Sequence, residues 1–254
     1  MRYSIMDAWM NQIDTIRQQL LEKISSSRPT QLFHPIATQN LANYIDHTLL
    51  KPEATLEQIL HLCDEAKKHA LYAVCVHPSY ILQASQILQG SLVKPITVVG
   101  FPTGASTTET KVFETLDAID NGAQEIDMVL HLGKLKSGRL EEVYQDILSV
   151  ALQADQIPMK VIIETSKLTL EEKIQACILS QMAGATFVKT STGFSEHGAT
   201  VEDIRLMKAV VGQSMGVKAS GGIKDLQMAQ QMIQAGADRI GTSSSVLIIE
   251  ESKR

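Results

Sequence analysis

The stretch QMAGATFVKTSTG, residues 181–193, contains one copy of the unit from which the chain is built. A helical pattern over 169–183 runs out at Ala183-Gly184-Ala185, where glycine supplies the left-handed residue that ends a helix. A short β-rich run, Thr186–Thr190, follows, and the small polar loop Ser191-Thr192-Gly193 closes it. The same helix-ending glycine feeds a strand at Asn121-Gly122-Ala123 and at Ala235-Gly236-Ala237.

Outward from that unit, further strands are expected at Tyr44–Asp46, Tyr72–His77, Ile96–Gly100, Glu125–Leu130, Met159–Glu164, Met215–Ala219 and Asp238–Gly241. Stretches of 3.6-residue period fill 55–69, 79–89, 106–121, 139–156, 200–212 and 224–235, with a last one from 244. Eight strands alternating with eight helices predict an α/β protein with a single (β/α)8 TIM barrel over 41–254. An open doubly wound sheet has less support, because no G-x-G-x-x-G follows the first strand.

Residues 1–40 stand apart as a first segment of helix and linker. Met6, Trp9, Met10, Ile13, Ile16, Leu20 and Ile24 recur at helical spacing, with Asp7, Asp14, Arg17, Glu22 and Lys23 on the other face. This predicts an amphipathic helical extension over 1–27, and its scattered charges do not suit a signal peptide. Residues 28–40 read as the linker.

A chain of 254 residues, 44% hydrophobic and 20% charged, has the makeup of a globular protein rather than a disordered one. The net charge of −5, with no basic stripe, argues against a nucleic-acid partner. No apolar run approaches the ~18 residues that span a bilayer, so no membrane partner is expected. Cys63, Cys75 and Cys177 are odd in number and widely spaced, which points to a reducing, cytoplasmic setting. An acidic barrel with an extra amphipathic helix is expected to form a homodimer.

Barrel enzymes carry their chemistry at the C-terminal ends of the strands. Ionisable and small polar residues crowd those ends here, while the opposite ends begin with Ala, Met or Pro. Lys189 and Lys218 interrupt apolar strands on neighbouring positions of the barrel. Each could simply reach solvent at the rim, or the pair could neutralise phosphate. If they lie side by side, repulsion and burial both disfavour charge and lower the pKa of the deeper amine. A lysine brought toward ~7–8 is a nucleophile at neutral pH, as Schiff-base chemistry requires. Asp127, within Ile126-Asp127-Met128, is either an ion-pair partner of these lysines or a proton carrier, and its mid-barrel place favours the second. Glu164 is expected to orient its neighbours.

The loops after strands seven and eight supply an expected phosphate site. Gly221-Gly222 lets backbone N–H groups approach an anion, and Gly241-Thr242-Ser243-Ser244 opens the last helix. Both loops lie where phosphate-binding barrels hold their ligand.

Eight stretches in order carry a resemblance to the deoxyribose-phosphate aldolase family, whose members are class I, Schiff-base-forming aldolases. They are YIDHTLLKPEAT (44–55), VCVHPSY (74–80), VVGFPTGAS (98–106), EIDMVLHLGKLKSG (125–138), VIIETSKL (161–168), FVKTSTGF (187–194), VKASGGIKD (217–225) and ADRIGTSSS (237–245). The resemblance implies reversible cleavage of 2-deoxy-D-ribose 5-phosphate to glyceraldehyde 3-phosphate and acetaldehyde, with no metal or other cofactor. It implies that Lys189 forms the Schiff base, Lys218 perturbs its pKa and Asp127 relays protons. Asp46 would order the lysine network, and Cys75 and Thr192 would line the substrate channel. Phosphate would fall to Gly193, Gly221, Gly222, Ser243 and Ser244. The chain departs from the family pattern at His131, often Asn, and Thr103, often Leu.

Two other function classes compete. A metal-dependent barrel lyase or isomerase would use His47, His77 and His131 with Asp127 and Cys75, although their spacing matches no compact ligand motif. A non-catalytic sugar-phosphate sensor would keep the phosphate loops, but it would have no need of Lys189, Lys218 and Asp127 together.

Overall fold

The computed structural model describes residues 38–253, together with Thr15 and Gln18. The helix expected over 1–27 and most of the 28–40 linker lie outside the described residues. Eight strands follow in order: β1 Ile45–Leu49, β2 Ala73–Val76, β3 Lys94–Val99, β4 Glu125–Val129, β5 Met159–Ile162, β6 Phe187–Lys189, β7 Gly216–Ser220 and β8 Arg239–Thr242. They pair in parallel with their chain neighbours, and β8 returns to β1 through Ile45 opposite Ile240 and Asp46 opposite Gly241. The closed (β/α)8 barrel is the fold that the alternation predicts.

Nine α-helices are found among the described residues: α1 Leu56–Lys68, α2 Ile81–Leu88, α3 Thr108–Asp120, α4 Leu132–Lys136, α5 Leu140–Ala154, α6 Leu170–Met182, α7 Val201–Val211, α8 Leu226–Ala235 and α9 Ser245–Glu251. Local chemistry sets many of their ends. Thr55 and Gln58 close a capping box on α1, and Thr169 and Glu172 close one on α6. Thr107, Thr200 and Asp225 cap α3, α7 and α8 in the simpler way. Each cap satisfies an amide that the helix leaves without a partner and is worth about 1 kcal/mol. At the other ends Gly184 and Gly236 take φ values of 85° and 114°, which a side chain would strain.

Three expected boundaries move for identifiable reasons. Tyr44 closes a 3-10 turn over Thr38–Tyr44, so β1 begins one residue later and extends to Leu49. The strand expected to run through Leu130 toward His131 stops at Val129, because His131 caps α4, the helix that the sequence pattern does not predict. The strand expected to reach Glu164 stops at Ile162, and Glu164 itself adopts a left-handed backbone with φ 54°.

Alternation along the strands creates two environments. Ile45, Val74, Ile126, Val161, Val188, Val217 and Ile240 join the outer core, together with Ile59, Ile147, Ile174 and Ile204 of the helices. Full burial of each such side chain contributes about 1.5–3 kcal/mol. Inside the barrel, Leu50, Ala73, Cys75, Ile96 and Val98 form a separate apolar cluster with Tyr72 and Phe101. That cluster fills the β1–β3 side. The strands β4–β8, joined by Asp46 of β1, present charge to the interior instead. The barrel interior is thus half apolar and half ionic.

Candidate active site

Parallel register puts paired residues on the same face of a sheet, because side chains alternate with a period of two along each strand. Asp127 of β4 is paired with Lys160 of β5, Lys189 of β6 with Lys218 of β7, and Lys218 with Arg239 of β8. Asp46 of β1 completes the ring beside Gly241 of β8. These residues therefore face one another across the interior.

Asp127 is the hub. Its Oδ2 accepts hydrogen bonds from Lys189 Nζ at 2.8 Å and from Lys218 Nζ at 2.8 Å, and its Oδ1 accepts from Lys160 Nζ at 2.7 Å. Lys218 Nζ also donates to Asp46 Oδ2 at 2.5 Å, and Arg239 Nη1 donates to Asp46 Oδ1 at 3.0 Å. On the side of the hub toward the strand N-termini, Lys160 Nζ pairs with Glu125 Oε2 at 2.7 Å. Tyr72 OH donates to Glu125 Oε1 at 2.7 Å and receives Lys94 Nζ at 2.7 Å. The Arg239 guanidinium lies 3.3 Å above the Tyr72 ring centre. Charge therefore extends through the barrel toward its N-terminal end, contrary to the expectation of an uncharged opposite end.

The electrostatics follow from that geometry. Burial alone would raise the Asp127 pKa, but Lys160, Lys189 and Lys218 together outweigh it and hold the carboxyl well below the usual carboxylate range. Burial also opposes ionisation of Asp46, and Lys218 and Arg239 overcome it, so its pKa is lowered too. Lys218 corrects an expectation. It is the deeper of the two strand-end lysines, at 0% exposure against 3% for Lys189. Burial disfavours its charge, yet Asp127 and Asp46 hold its ammonium above the ordinary lysine range. Two carboxylates in direct contact outweigh repulsion from a neighbouring amine.

A cavity of about 340 Å³ lies at the C-terminal ends of the strands, and Lys189 is on its wall. Thr192, Gly193, Gly221, Gly222 and Ser243 line it as well. Lys51 and Lys224, both solvent-exposed, also line it, and among the described residues no carboxylate does. Such a wall favours an anion. Gly222 takes φ 77° with open space where a Cβ would stand, so its backbone is free of side-chain cover on the cavity side. Thr192 is set by Glu164, whose Oε2 accepts from both the Thr192 amide at 3.1 Å and its hydroxyl at 2.5 Å. Glu164 thus orients a neighbour, as the sequence suggests.

The other expected positions fall elsewhere. Asp46, Asp127 and Lys218 lie beneath the cavity, linked to it through Lys189. Cys75 is fully buried in the apolar half of the barrel and is not on the cavity wall. Ser244 is likewise off the wall, and its amide donates to Thr242 Oγ1 at 2.9 Å. The histidines of the metal-dependent alternative are not brought together. His47 Nε2 meets Glu65 at 2.9 Å, His77 Nε2 donates to Leu50 O at 2.9 Å, and His131 Nδ1 accepts from the Lys134 amide at 3.3 Å. Among the described residues, no three His, Cys, Asp or Glu side chains form a group able to hold a metal ion.

Lys160, Glu125 and Arg239 are the site residues that sequence reasoning missed. A signal for Lys160 exists: it interrupts the apolar run Met159-Lys160-Val161-Ile162 as Lys189 and Lys218 interrupt theirs.

A family model described as DeoC/LacD family aldolase matches residues 40–246. The chain is 58% identical over 214 residues to the deoxyribose-phosphate aldolase of Brevibacillus brevis, covering 84% of this chain and 97% of that one. It is 58% identical over 210 residues to the deoxyribose-phosphate aldolase of Bdellovibrio bacteriovorus, covering 83% and 96% respectively. Among solved structures, the deoxyribose phosphate aldolase from Aeropyrum pernix, described as a unique tetramer, superposes with a TM-score of 0.80. Its sequence is 34% identical, and the match covers 94% of this chain and 97% of that chain.

Proposed function

The chain belongs to the DeoC/LacD family of aldolases, and we propose that it cleaves 2-deoxy-D-ribose 5-phosphate reversibly to D-glyceraldehyde 3-phosphate and acetaldehyde through a Schiff base on Lys189. The observation that carries this reading is the convergence of Lys189 and Lys218 on one oxygen of Asp127, beneath a cavity walled by lysines and glycines.

In this mechanism the Lys189 amine attacks the aldehyde carbon of the ring-opened sugar and gives a carbinolamine. Asp127 and Lys218 pass the protons that let water leave, and a protonated imine forms. The imine accepts the electron pair of the C2–C3 bond as a base removes the proton of the C3 hydroxyl. Glyceraldehyde 3-phosphate departs, leaving an enamine on Lys189. Protonation at carbon and attack by water then release acetaldehyde and restore the amine. Lys218, held as an ammonium by Asp127 and Asp46, keeps positive charge next to the reacting nitrogen.

Phosphate is assigned to Gly193, Gly221, Gly222 and Ser243 on the cavity wall, with Ser244 behind them at the start of the last helix and Lys51 and Lys224 supplying positive charge nearby. Contacts to the distant phosphate hold the reacting carbons in place, so remote binding energy contributes to the rate. Asp46 orders the lysines through its bond to Lys218. Thr192, held by Glu164, contacts the bound sugar, and Cys75 backs the apolar side of the channel.

The catalytic domain is assigned to 41–254 and the helical extension with its linker to 1–40. A homodimer is the assembly proposed, and light scattering on the purified protein distinguishes it from a tetramer. Three buried free cysteines support a reducing, cytoplasmic location.

Borohydride trapping tests the reading. After incubation with acetaldehyde and reduction, peptide mass spectrometry is expected to find an ethyl group on Lys189, absent from Lys189→Ala. Lack of an adduct on every barrel lysine would overturn it.

A further inference from the structure

We propose that Lys160 is a positioning residue for this reaction: by holding Oδ1 of Asp127, it aims Oδ2 at the amines of Lys189 and Lys218. The inference rests on the Schiff-base reading above and assigns a role to a side chain which that mechanism does not use.

Lys160 is fully buried, so its amine cannot serve solvent. It makes two ion pairs, with Asp127 Oδ1 and Glu125 Oε2, each at 2.7 Å. Asp127 consequently has its two oxygens engaged on opposite sides, one by Lys160 and the other by the lysines that face the chemistry. A carboxylate with one free oxygen could rotate about its last bond and exchange oxygens. With Oδ1 clamped, Oδ2 has one place to be.

The clamp is itself anchored. Glu125 is fixed by Tyr72, and Tyr72 by Lys94 and by the overlying Arg239. Lys160 also supplies the largest of the cationic influences that keep Asp127 ionised. The charged groups that face Asp127 are Asp46 from β1, Glu125 from β4, Lys160 from β5, Lys189 from β6, Lys218 from β7 and Arg239 from β8, with the Cys75 thiol on β2.

Lys160→Met is the test, read by kcat, KM and the pH profile of deoxyribose 5-phosphate cleavage. The expected result is a kcat reduced about a hundredfold with KM within about threefold, as misplacement of a reacting group rather than loss of binding would give. The acid limb of the kcat profile is expected to rise by about one pH unit, since removing a cation makes Asp127 easier to protonate. Tyr72→Phe is the structural control. It loosens the same brace farther from Asp127 and is expected to lower Tm without moving the acid limb.

If Lys160→Met keeps wild-type kcat and acid limb, or Tyr72→Phe moves the limb equally, the inference fails. Should Lys160→Met not fold, the charge-balanced pair Lys160→Met/Glu125→Gln takes the same measurements, with the same outcomes deciding. Acetaldehyde trapping on wild-type Lys189 separates the two levels. With trapping intact, a silent Lys160→Met sinks the positioning role alone; without trapping, the Schiff-base reading falls and takes this inference with it.

Discussion

Lys189 and Lys218 are register partners on adjacent strands, and both donate to Asp127 Oδ2 at 2.8 Å. Shared contact does not make them equivalent. Lys218 has a second carboxylate, Asp46, while Lys189 has none and stands on the cavity wall. One lysine is held as a cation between two carboxylates, and the other borders the cavity.

That division predicts different outcomes for the two lysines. Lys189→Ala should abolish trapping while leaving the fold intact. Lys218→Met should retain slow trapping and lose stability, because Asp46 and Asp127 each lose a buried partner. Removing one member of a buried pair costs about 3–5 kcal/mol, and Arg239, Lys160 and Lys189 still compensate here, so about 3 kcal/mol is expected. A Tm lowered by about 10 °C in calorimetry would agree. An unchanged Tm would contradict the ionic contacts described.

Acid stability carries a defined sign. Asp46, Glu125 and Asp127 have lowered pKa values in the folded state, so their contribution is present above the unfolded carboxylate range and lost as pH falls through it. His47 acts earlier: burial lowers its pKa, so stability begins to fall as pH drops through about 6.5. Lys160 and Lys218, both raised, keep their contribution until pH exceeds about 10.4, the ordinary lysine value. Thermal melts across pH should show a mild decline below neutrality and a steep one below about pH 4. A Tm that stays flat down to pH 3 would sink this account.

The thiols should be silent in the folded protein. Burial pushes Cys63 and Cys75 up to about 11 and Cys177 up to about 12, and all three are sealed from solvent. Ellman's reagent at pH 8 is expected to label none of them until the protein is denatured. Rapid labelling of Cys75 alone would mean that the cavity opens onto it.

The cavity wall predicts how a single charge would change selectivity. Ser243→Asp places a carboxylate on a wall that has none among the described residues. Its repulsion should raise KM for the phosphorylated sugar about tenfold or more, equivalent to ~1.4 kcal/mol. Trapping with acetaldehyde, which carries no phosphate, should be unchanged. Equal effects on both substrates would place phosphate elsewhere.

Much of this molecule was legible in its sequence because the deciding interactions are local. The alternation of β-rich runs with capped helices predicts the closed barrel, and the glycines after Ala183 and Ala235 mark where helices must stop. Lys189 and Lys218 stand out as charges inside apolar strands, and Asp127 stands out for the same reason. Even the short α4 had a local cause, in the His131 ring nitrogen that accepts from the Lys134 amide, though no apolar period announced it.

Register around a closed sheet, which no local pattern encodes, decided the rest. It set Lys160 opposite Asp127, brought Arg239 and Glu125 into an ionic cluster, and withdrew Cys75 into the apolar half. It also reversed the expected sign on Lys218. From sequence, two lysines on neighbouring strands are like charges in a dry place. In the folded barrel Asp46 arrives from a strand 172 residues away in the chain, and the deeper lysine becomes a firmly held cation. A pKa depends on every charge within a few ångströms, and only the tertiary structure determines which those are.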